Sequence, residues 1–174
     1  MKHTWILLLF IIVLFVACEE ANKEVVNPIT NIASQTTNTE YKTYTLTNAF
    51  TQKEFRINDY QAHTLLLQPF ATWCNSCVEQ QRILAQTGYA YIAVGVDPAE
   101  TTQDVITFAE KNNFSGAYTA ADPDFNTKLI RAFSTGVMKV LETPVILICP
   151  GGQAQVLPTG INTEEEIRAA ARNC

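Results

Sequence analysis

Apolar residues are concentrated in short continuous runs, and several of the stretches between these runs carry the spacing of amphipathic helices. Three runs are apolar on both faces: residues 63–71 (HTLLLQPFA), 88–97 (GYAYIAVGVD) and 144–149 (PVILIC). Such runs predict strands at the centre of a sheet that is covered on both sides. Residues 41–50 (YKTYTLTNAF) alternate between apolar and polar side chains, which predicts a further strand.

Three segments predict helices from their capping residues and their apolar spacing. Thr101 can cap one helix, with Asp104 three residues later. Asp122 can cap the next helix and is followed by a proline at the first helical position. The C-terminal segment, TEEEIRAAARN, opens with Thr163 and Glu166, which form a capping box. A fourth helix can start after residue 74.

The order of these elements indicates the fold class. It is strand, strand, helix, strand, helix, helix, strand, strand, helix, and the turn at residues 150–152 (PGG) joins the last two strands into a hairpin. Strands that alternate with helices of about 10–15 residues predict parallel strand pairs. The hairpin adds an antiparallel pair. We therefore predict an α/β fold with a mixed central sheet flanked by helices.

The N-terminal segment has the features of an export signal. Lys2 precedes an unbroken apolar run over residues 5–17, which ends at Cys18. A membrane-spanning helix takes about 20 residues, whereas a secretory signal has an apolar core of about 7–15. The stretch FVAC resembles a bacterial lipoprotein box, in which the cysteine is lipidated and becomes the new N-terminus; Phe15 departs from the usual leucine. The alternative is an uncleaved anchor with an incidental cysteine.

In either case the rest of the chain is exported and tethered to a membrane. We predict a lipoprotein signal peptide over residues 1–17, a lipid-anchored flexible linker over 18–40 and a folded domain over 41–174. The linker is polar, rich in threonine and asparagine, and without periodicity. The predicted location is the cell envelope, with the domain in the periplasm or otherwise outside the cytoplasm.

Charge and cysteine content narrow the classes of function. Removal of residues 1–17, which contain one lysine, changes the formal charge from −5 to −6. The sequence has no basic run of the kind that binds phosphates, so nucleic acid is not a predicted partner. The remaining 157 residues can bury a core without disulfides. Four further cysteines, two of them close together, suggest chemistry rather than scaffolding.

Cys74 and Cys77, in the stretch FATWCNSC, stand where a buried strand is followed by a helix. The amide groups of the first helical turn and the helix dipole favour negative charge there, so the pKa of Cys74 is expected below about 8.5. Cys77 lies on the same face one turn later, with Cβ atoms about 5–6 Å apart, close to disulfide range. We predict a redox pair in which Cys74 is the exposed attacking thiol and Cys77 the shielded resolving thiol.

Two other uses of the pair are a zinc site and a permanent structural disulfide. Zinc takes four ligands, but the mature chain has one histidine, His63, and no second Cys-x-x-Cys. A structural disulfide with a two-residue loop would restrain the unfolded chain very little. Cys149 is interpreted as a small core hydrophobe, while Cys174 is either free or paired outside the domain. No bound cofactor or metal is predicted.

The stretch FATWCNSC on a strand-to-helix turn resembles the active site of the thioredoxin superfamily. The lead-in LLLQPFATWC is similar to the TlpA/ResA-like branch of exported thiol–disulfide oxidoreductases, and GVMKVLETPVILIC (136–149) is similar to the family's second signature. The resemblance covers about residues 41–172 and implies a thioredoxin-like fold. It also implies a cis bond before Pro144, and a substrate-binding role for Thr143 and Pro144 in which the Thr143 backbone is presented to an extended substrate strand; an ordinary strand-entry proline is the alternative. Trp73, on the turn, is predicted to shield the pair and contact substrate.

Three features depart from the family pattern. The dipeptide between the cysteines is Asn75-Ser76 rather than Gly-Pro, and it has no histidine to stabilise the thiolate further. We therefore expect the reduction potential of the pair to be closer to the value for thioredoxin, about −270 mV, than to that for a strong oxidant, about −120 mV. Gln68 stands where cytoplasmic thioredoxins often have an acid, and it cannot shuttle a proton; water or another group must deprotonate the resolving thiol. Pro69 removes an amide N–H from the strand, which predicts a bulge or an unpaired position.

The predicted function is that of a membrane-anchored thiol–disulfide oxidoreductase that reduces disulfides of exported proteins. The resemblance implies the cysteines of apocytochrome c as one example of a substrate. Predicted partners are protein disulfides, an upstream membrane thiol donor, and the membrane through a lipid on Cys18. A copper-binding lipoprotein that uses the same two cysteines is a second hypothesis, and a non-catalytic binding lipoprotein of the same fold is a third.

Overall fold

The computed structural model describes residues 39–174, in which the apolar runs form strands and the capped segments form helices. The strands are β1 (Leu46–Thr47), β2 (Glu54–Phe55), β3 (Leu65–Phe70), β4 (Ala90–Gly95), β5 (Ala117–Thr119), β6 (Ile146–Ile148) and β7 (Ala154–Val156). The helices are α1 (Glu40–Thr43), α2 (Asn75–Gln86), α3 (Thr102–Lys111), α4 (Pro123–Phe133) and α5 (Glu164–Arg172), with 3-10 turns at Ile57–Tyr60, Thr135–Met138 and Val140–Glu142.

The main sheet is mixed, as predicted, and has the strand order β5-β4-β3-β6-β7. Strands β3, β4 and β5 run parallel to one another, whereas β6 is antiparallel to β3 and β7 is antiparallel to β6. Every residue of β3 is buried, which explains why its sequence is apolar on both faces. Strands β1 and β2 form a separate antiparallel pair.

Alternate side chains of β3 face two separate hydrophobic clusters on opposite sides of the sheet. Leu66 and Phe70 belong to a cluster that includes buried residues of α2, α3 and α5. Leu65 and Leu67 belong to the other cluster, which includes buried residues of α4. The domain therefore has three layers, with helices on both faces of the sheet.

The predicted helix starts are confirmed by their side-chain hydrogen bonds. Asp122 Oδ1 accepts hydrogen bonds from the first-turn amides of α4, and α3 and α5 begin with the expected capping boxes. Hydrogen bonds from Thr101 hold the pKa of the Asp104 carboxyl below its ordinary value. The backbone N–H and hydroxyl of Thr163 do the same for the pKa of Glu166. These carboxylates are negative at neutral pH, so they interact favourably with the positive end of the helix dipole.

The strand predicted over residues 41–50 is only partly correct. Its first residues form the single turn α1, and only Leu46–Thr47 is a strand. The reason is that the buried side chains of this segment contact different parts of the domain, rather than lying together on one face of a sheet. Tyr41 packs edge-on against Phe133 with ring centroids 5.1 Å apart, while the Tyr44 hydroxyl donates to the Asp122 carboxylate. Strands β2 and β5 were not predicted, because they are only two and three residues long.

Pro69 does not form the predicted bulge, because its missing N–H does not fall on the β4 side. The parallel register with β4 continues through Pro69 opposite Val94. The Phe70 carbonyl accepts a hydrogen bond from Val96, so the backbone groups of Pro69 face the opposite edge, toward β6. The pairing of β3 with β6 ends at Leu67, so Pro69 is unpaired on the β6 side, although it stays in register with β4.

Cys149 is buried in the core as expected, but it is not a free core thiol, because it forms a disulfide with Cys174. The expectation that Cys174 is free or paired outside the domain is wrong for the same reason. Cys149 directly follows β6 and belongs to the same buried cluster as Leu147 and Ile167. Ile167 is the buried residue of α5, and the chain ends at Cys174 just after this helix. Packing of α5 against this face therefore brings together two cysteines that are 25 residues apart.

The predicted signal peptide, the lipidation site Cys18 and the linker up to residue 38 lie outside the described residues. Within residues 39–174, no helix is long and apolar enough to cross a membrane.

We expect the Cys149→Ser/Cys174→Ser variant to lose about 3 kcal/mol of unfolding free energy in urea, since a disulfide across 25 residues restrains the unfolded chain substantially. The matched control is Cys74→Ser/Cys77→Ser, whose three-residue separation predicts a much smaller loss. Equal losses in the two variants would contradict this assignment.

Candidate active site

The cysteine pair lies where β3 passes into α2, and a tight turn makes this connection. The Cys74 N–H donates to the Ala71 carbonyl at 3.1 Å, which closes a turn with Thr72 and Trp73 at its centre. Cys74 is then the N-cap of α2, with extended backbone angles. The predicted position at a strand end and a helix start is confirmed.

Cys74 and Cys77 are joined by a disulfide, with their Cα atoms 5.3 Å apart. The first turn of α2 thus holds the pair at bonding distance, as the spacing predicted. Because both residues belong to this one turn, the bond can open while β3 and the rest of α2 stay in place.

The surroundings of Cys74 favour its thiolate. Its Sγ accepts a hydrogen bond from the Cys77 backbone N–H at 3.1 Å, and Ser76 Oγ lies 3.5 Å away. A thiolate at this position is stabilised by these donors and by the N-terminus of α2. The sulfur of Cys74, the N-cap residue of α2, is therefore suited to be the nucleophile.

The carbonyl oxygen of Val140 lies 3.5 Å from both sulfurs. Val140 begins the 3-10 turn Val140–Glu142, which lies against the first turn of α2. In the disulfide neither sulfur carries a proton, but after reduction a thiol can donate to this carbonyl. Cys77 is fully buried, which disfavours its charged form, so this acceptor suits Cys77 as the protonated resolving thiol.

The exposed sulfur expected for Cys74 is not found, because the residue is only 1% exposed in the closed disulfide. The Val140–Glu142 turn is the covering element, since its first carbonyl contacts both sulfurs. A partner that reaches Cys74 must therefore displace part of this cover.

The three residues predicted to contact substrate differ in their accessibility. Trp73 is 56% exposed, so its ring is available to a partner rather than part of the core. Thr143 is 1% exposed and Pro144 is buried, so neither side chain is at the surface. Leu141, which precedes them on the 3-10 turn, is 72% exposed and was not predicted.

The cis bond expected before Pro144 is wrong, since no peptide bond in residues 39–174 is cis. The chain turns instead through Thr143, which has the left-handed backbone angles φ 46° and ψ 53° at the end of the 3-10 turn. This conformation directs the chain into β6. A left-handed non-glycine residue costs free energy and is found mainly where the surrounding structure fixes it.

Gln68 is fully buried, and neither its Oε1 nor its Nε2 has a hydrogen-bond partner among the described residues. It lies between Leu66 and Phe70 on the face of β3 that carries the cysteine cluster. Gln68 therefore lies on the same side of the sheet as the cysteine pair, at the position where an acid could have shuttled a proton.

Two carboxylates on the loop after β4 bind the active-site turn and were not predicted from the sequence. The Trp73 indole N–H donates to Asp97 at 2.8 Å, and Thr72 donates to Glu100. The hydrogen bond from Trp73, together with that from the Ala99 amide, holds the pKa of Asp97 below its ordinary value. The only sequence signal was the Asp-Pro pair that ends the β4 run.

Within residues 39–174 no group of three or more His, Cys, Asp and Glu side chains is arranged to hold a metal ion. The two sulfurs of the active site are also bonded to each other. The described site thus presents a disulfide as its chemical group.

Comparison with solved structures shows a thioredoxin-like fold. A secreted Mycobacterium tuberculosis disulfide oxidoreductase homologous to E. coli DsbE aligns with 14% identity over 78% of this chain and 99% of its own, with a TM-score of 0.59. The thioredoxin-family thiol:disulfide interchange protein of Chlorobium tepidum aligns with 16% identity over 75% and 91%, with a TM-score of 0.59. The thioredoxin domain of a Bacteroides vulgatus thiol–disulfide oxidoreductase gives 14% identity over 75% and 91%, with a TM-score of 0.58.

No family model matches the sequence, and no curated protein matches it. The structural likeness is thus one of fold, and the predicted α/β class with a thioredoxin-like mixed sheet is confirmed.

We expect Ser76→Ala to slow the alkylation of reduced Cys74 at pH 7 by about twofold, because the hydroxyl 3.5 Å from the sulfur no longer stabilises the thiolate. Iodoacetamide labelling in a Cys77→Ser background, followed by peptide mass spectrometry, measures this rate. Ser115→Ala, an exposed serine far along the chain, is the control and should react like the parent protein. An unchanged rate in Ser76→Ala would show that the hydroxyl does not stabilise the Cys74 thiolate.

Proposed function

We propose that this protein is a thiol–disulfide oxidoreductase that reduces disulfides of exported proteins from a membrane anchor. The observation that carries the proposal is the disulfide between the N-cap residue of α2 and the residue one turn later. A thiolate at the first position has amide and hydroxyl donors, whereas the second sulfur has only the Val140 carbonyl, an acceptor that suits a protonated thiol.

The reaction follows from these different surroundings. In the reduced protein the Cys74 thiolate attacks one sulfur of a partner disulfide, which forms a mixed disulfide and releases the other partner sulfur as a thiolate that takes up a proton. Cys77 then loses its proton and attacks Cys74. This step forms the Cys74–Cys77 disulfide and releases the second partner thiol. A membrane thiol donor returns two electrons to close the cycle.

A polypeptide partner fits the surface around the pair. Trp73 and Leu141 are the exposed apolar side chains on the two elements that flank the disulfide. A cleft of about 570 Å³ runs between α2 and α3, and its lining includes Thr72 and Asn75, the residues just before and after Trp73 and Cys74 in the chain. An extended chain joined to Cys74 could therefore contact apolar side chains and a polar cleft together.

The envelope location rests on the sequence. The apolar run over residues 5–17 that ends at Cys18, with the polar segment after it, supports export and lipidation. One of the proteins of similar fold is a secreted disulfide oxidoreductase. An exported reductase acts on cysteines that the envelope would otherwise keep oxidised, and apocytochrome c cysteines are one such substrate class.

We expect Cys77→Ser to accumulate covalent adducts through Cys74 in the native compartment, because the resolving step is removed. Non-reducing gels and mass spectrometry of the purified adducts identify the partners. Cys74→Ser, which lacks the nucleophile, is the matched control and should give none. If neither variant forms adducts, the protein does not exchange disulfides with other proteins and the proposal fails.

We expect Leu141→Ser to raise the KM for a protein disulfide by about fivefold, with little change in kcat, since it removes an apolar contact rather than a reacting group. Reduction of a small disulfide that does not reach Leu141 should stay at the wild-type rate. Val156→Ser, at an exposed valine on β7, controls for surface hydrophobicity. Equal KM values for the two variants would exclude Leu141 from the contact surface.

A further inference from the structure

The turn that presents Cys74 is bound at both of its central residues by the loop between β4 and α3. Glu100 Oε1 accepts two hydrogen bonds from Thr72, one from the backbone N–H and one from the hydroxyl, both at 2.6 Å. Asp97 Oδ2 accepts the indole N–H of Trp73 at 2.8 Å. Such charge-assisted hydrogen bonds are stronger than neutral ones.

The loop itself is fixed by its own hydrogen bonds. Asp97 Oδ1 accepts the Ala99 N–H at 2.9 Å, and the Glu100 N–H donates to the Asp97 carbonyl at 3.1 Å. Thr101 follows as the N-cap of α3, in a capping box with Asp104. Glu100 is thus held between the end of a central strand and the start of a helix, so it has little freedom to move away from Thr72.

The second carboxylate oxygen of Glu100 is unusual. Oε2 is buried without a hydrogen-bond partner among the described residues, and no lysine or arginine of residues 39–174 forms an ion pair with Glu100. A buried, unpaired carboxylate oxygen costs free energy, and such a group calls for an explanation. An uncharged side chain could accept the same hydrogen bonds from Thr72 without placing a negative charge beside the turn.

We propose that Glu100 is a positioning residue for disulfide exchange, and that its negative charge makes the Cys74–Cys77 pair more strongly reducing. This inference rests on the proposed function. A negative charge beside the turn disfavours the Cys74 thiolate, and a less stable reduced form is a stronger reductant. Asp97 adds to the same field, while Lys139 and Glu142, at the two ends of the 3-10 turn that covers the pair, form an ion pair at 3.3 Å.

Two substitutions separate the charge from the positioning contact. Glu100→Gln keeps an oxygen that accepts from Thr72 but removes the charge. We expect its disulfide to become more oxidising, with the equilibrium constant against glutathione changed about threefold or more, and the pH midpoint of Cys74 alkylation to fall.

Thr72→Val removes one hydrogen bond but keeps the charge. It should lower kcat/KM with a protein disulfide by about tenfold and leave the potential unchanged.

Glu110→Gln, at an exposed carboxylate of α3, is the control for loss of a surface charge and should match the wild type in all three measurements. An unchanged potential and alkylation profile in Glu100→Gln overturns the proposal, as does an equal shift in Thr72→Val, which would mark a structural effect. The potential is measured on the protein's own disulfide without a partner. It therefore decides the role of Glu100 even if the wild type reduces no protein substrate and the proposed function fails.

Discussion

The 3.1 Å hydrogen bond from the Cys77 backbone N–H to the sulfur of Cys74 is the contact on which the active site depends. A helix N-terminus leaves amide groups that need acceptors, and here a cysteine sulfur takes the position usually held by a serine or aspartate oxygen. The same contact caps α2 and prepares the nucleophile. Stability of the helix start and reactivity of the thiol are thus linked.

The two sulfurs share a covalent bond and a turn, yet their surroundings differ. Both sulfurs are buried and lie 3.5 Å from the Val140 carbonyl, but only the Cys74 sulfur also has hydrogen-bond donors, from the Cys77 backbone N–H and from Ser76. The same carbonyl covers both sulfurs, so protection of the closed pair and access to the open pair depend on one 3-10 turn. Leu141, at the exposed part of this turn, is where a partner could contact the cover directly.

The second disulfide has a different role from the first. Cys74 and Cys77 are three residues apart, so their bond restrains the unfolded chain little and can open at low cost. Cys149 and Cys174 are 25 residues apart and tie the chain end after α5 to the residue after β6. One bond therefore suits exchange, while the other suits stabilisation of the domain.

The sequence alone determined the central strands, the capped helices, the mixed sheet and the position of the redox pair, because these depend on local periodicity and on contacts within one turn. It did not determine the Cys149–Cys174 bond, the trans bond at Pro144 or the roles of Leu141 and Glu100. Each of these depends on which distant segments pack together. The left-handed Thr143, for example, follows from the entry of the chain into β6, and Glu100 reaches Thr72 only because β4 lies beside β3. Tertiary packing decided which groups surround the sulfurs, because contacts between residues that are far apart in the chain cannot be read from local sequence patterns.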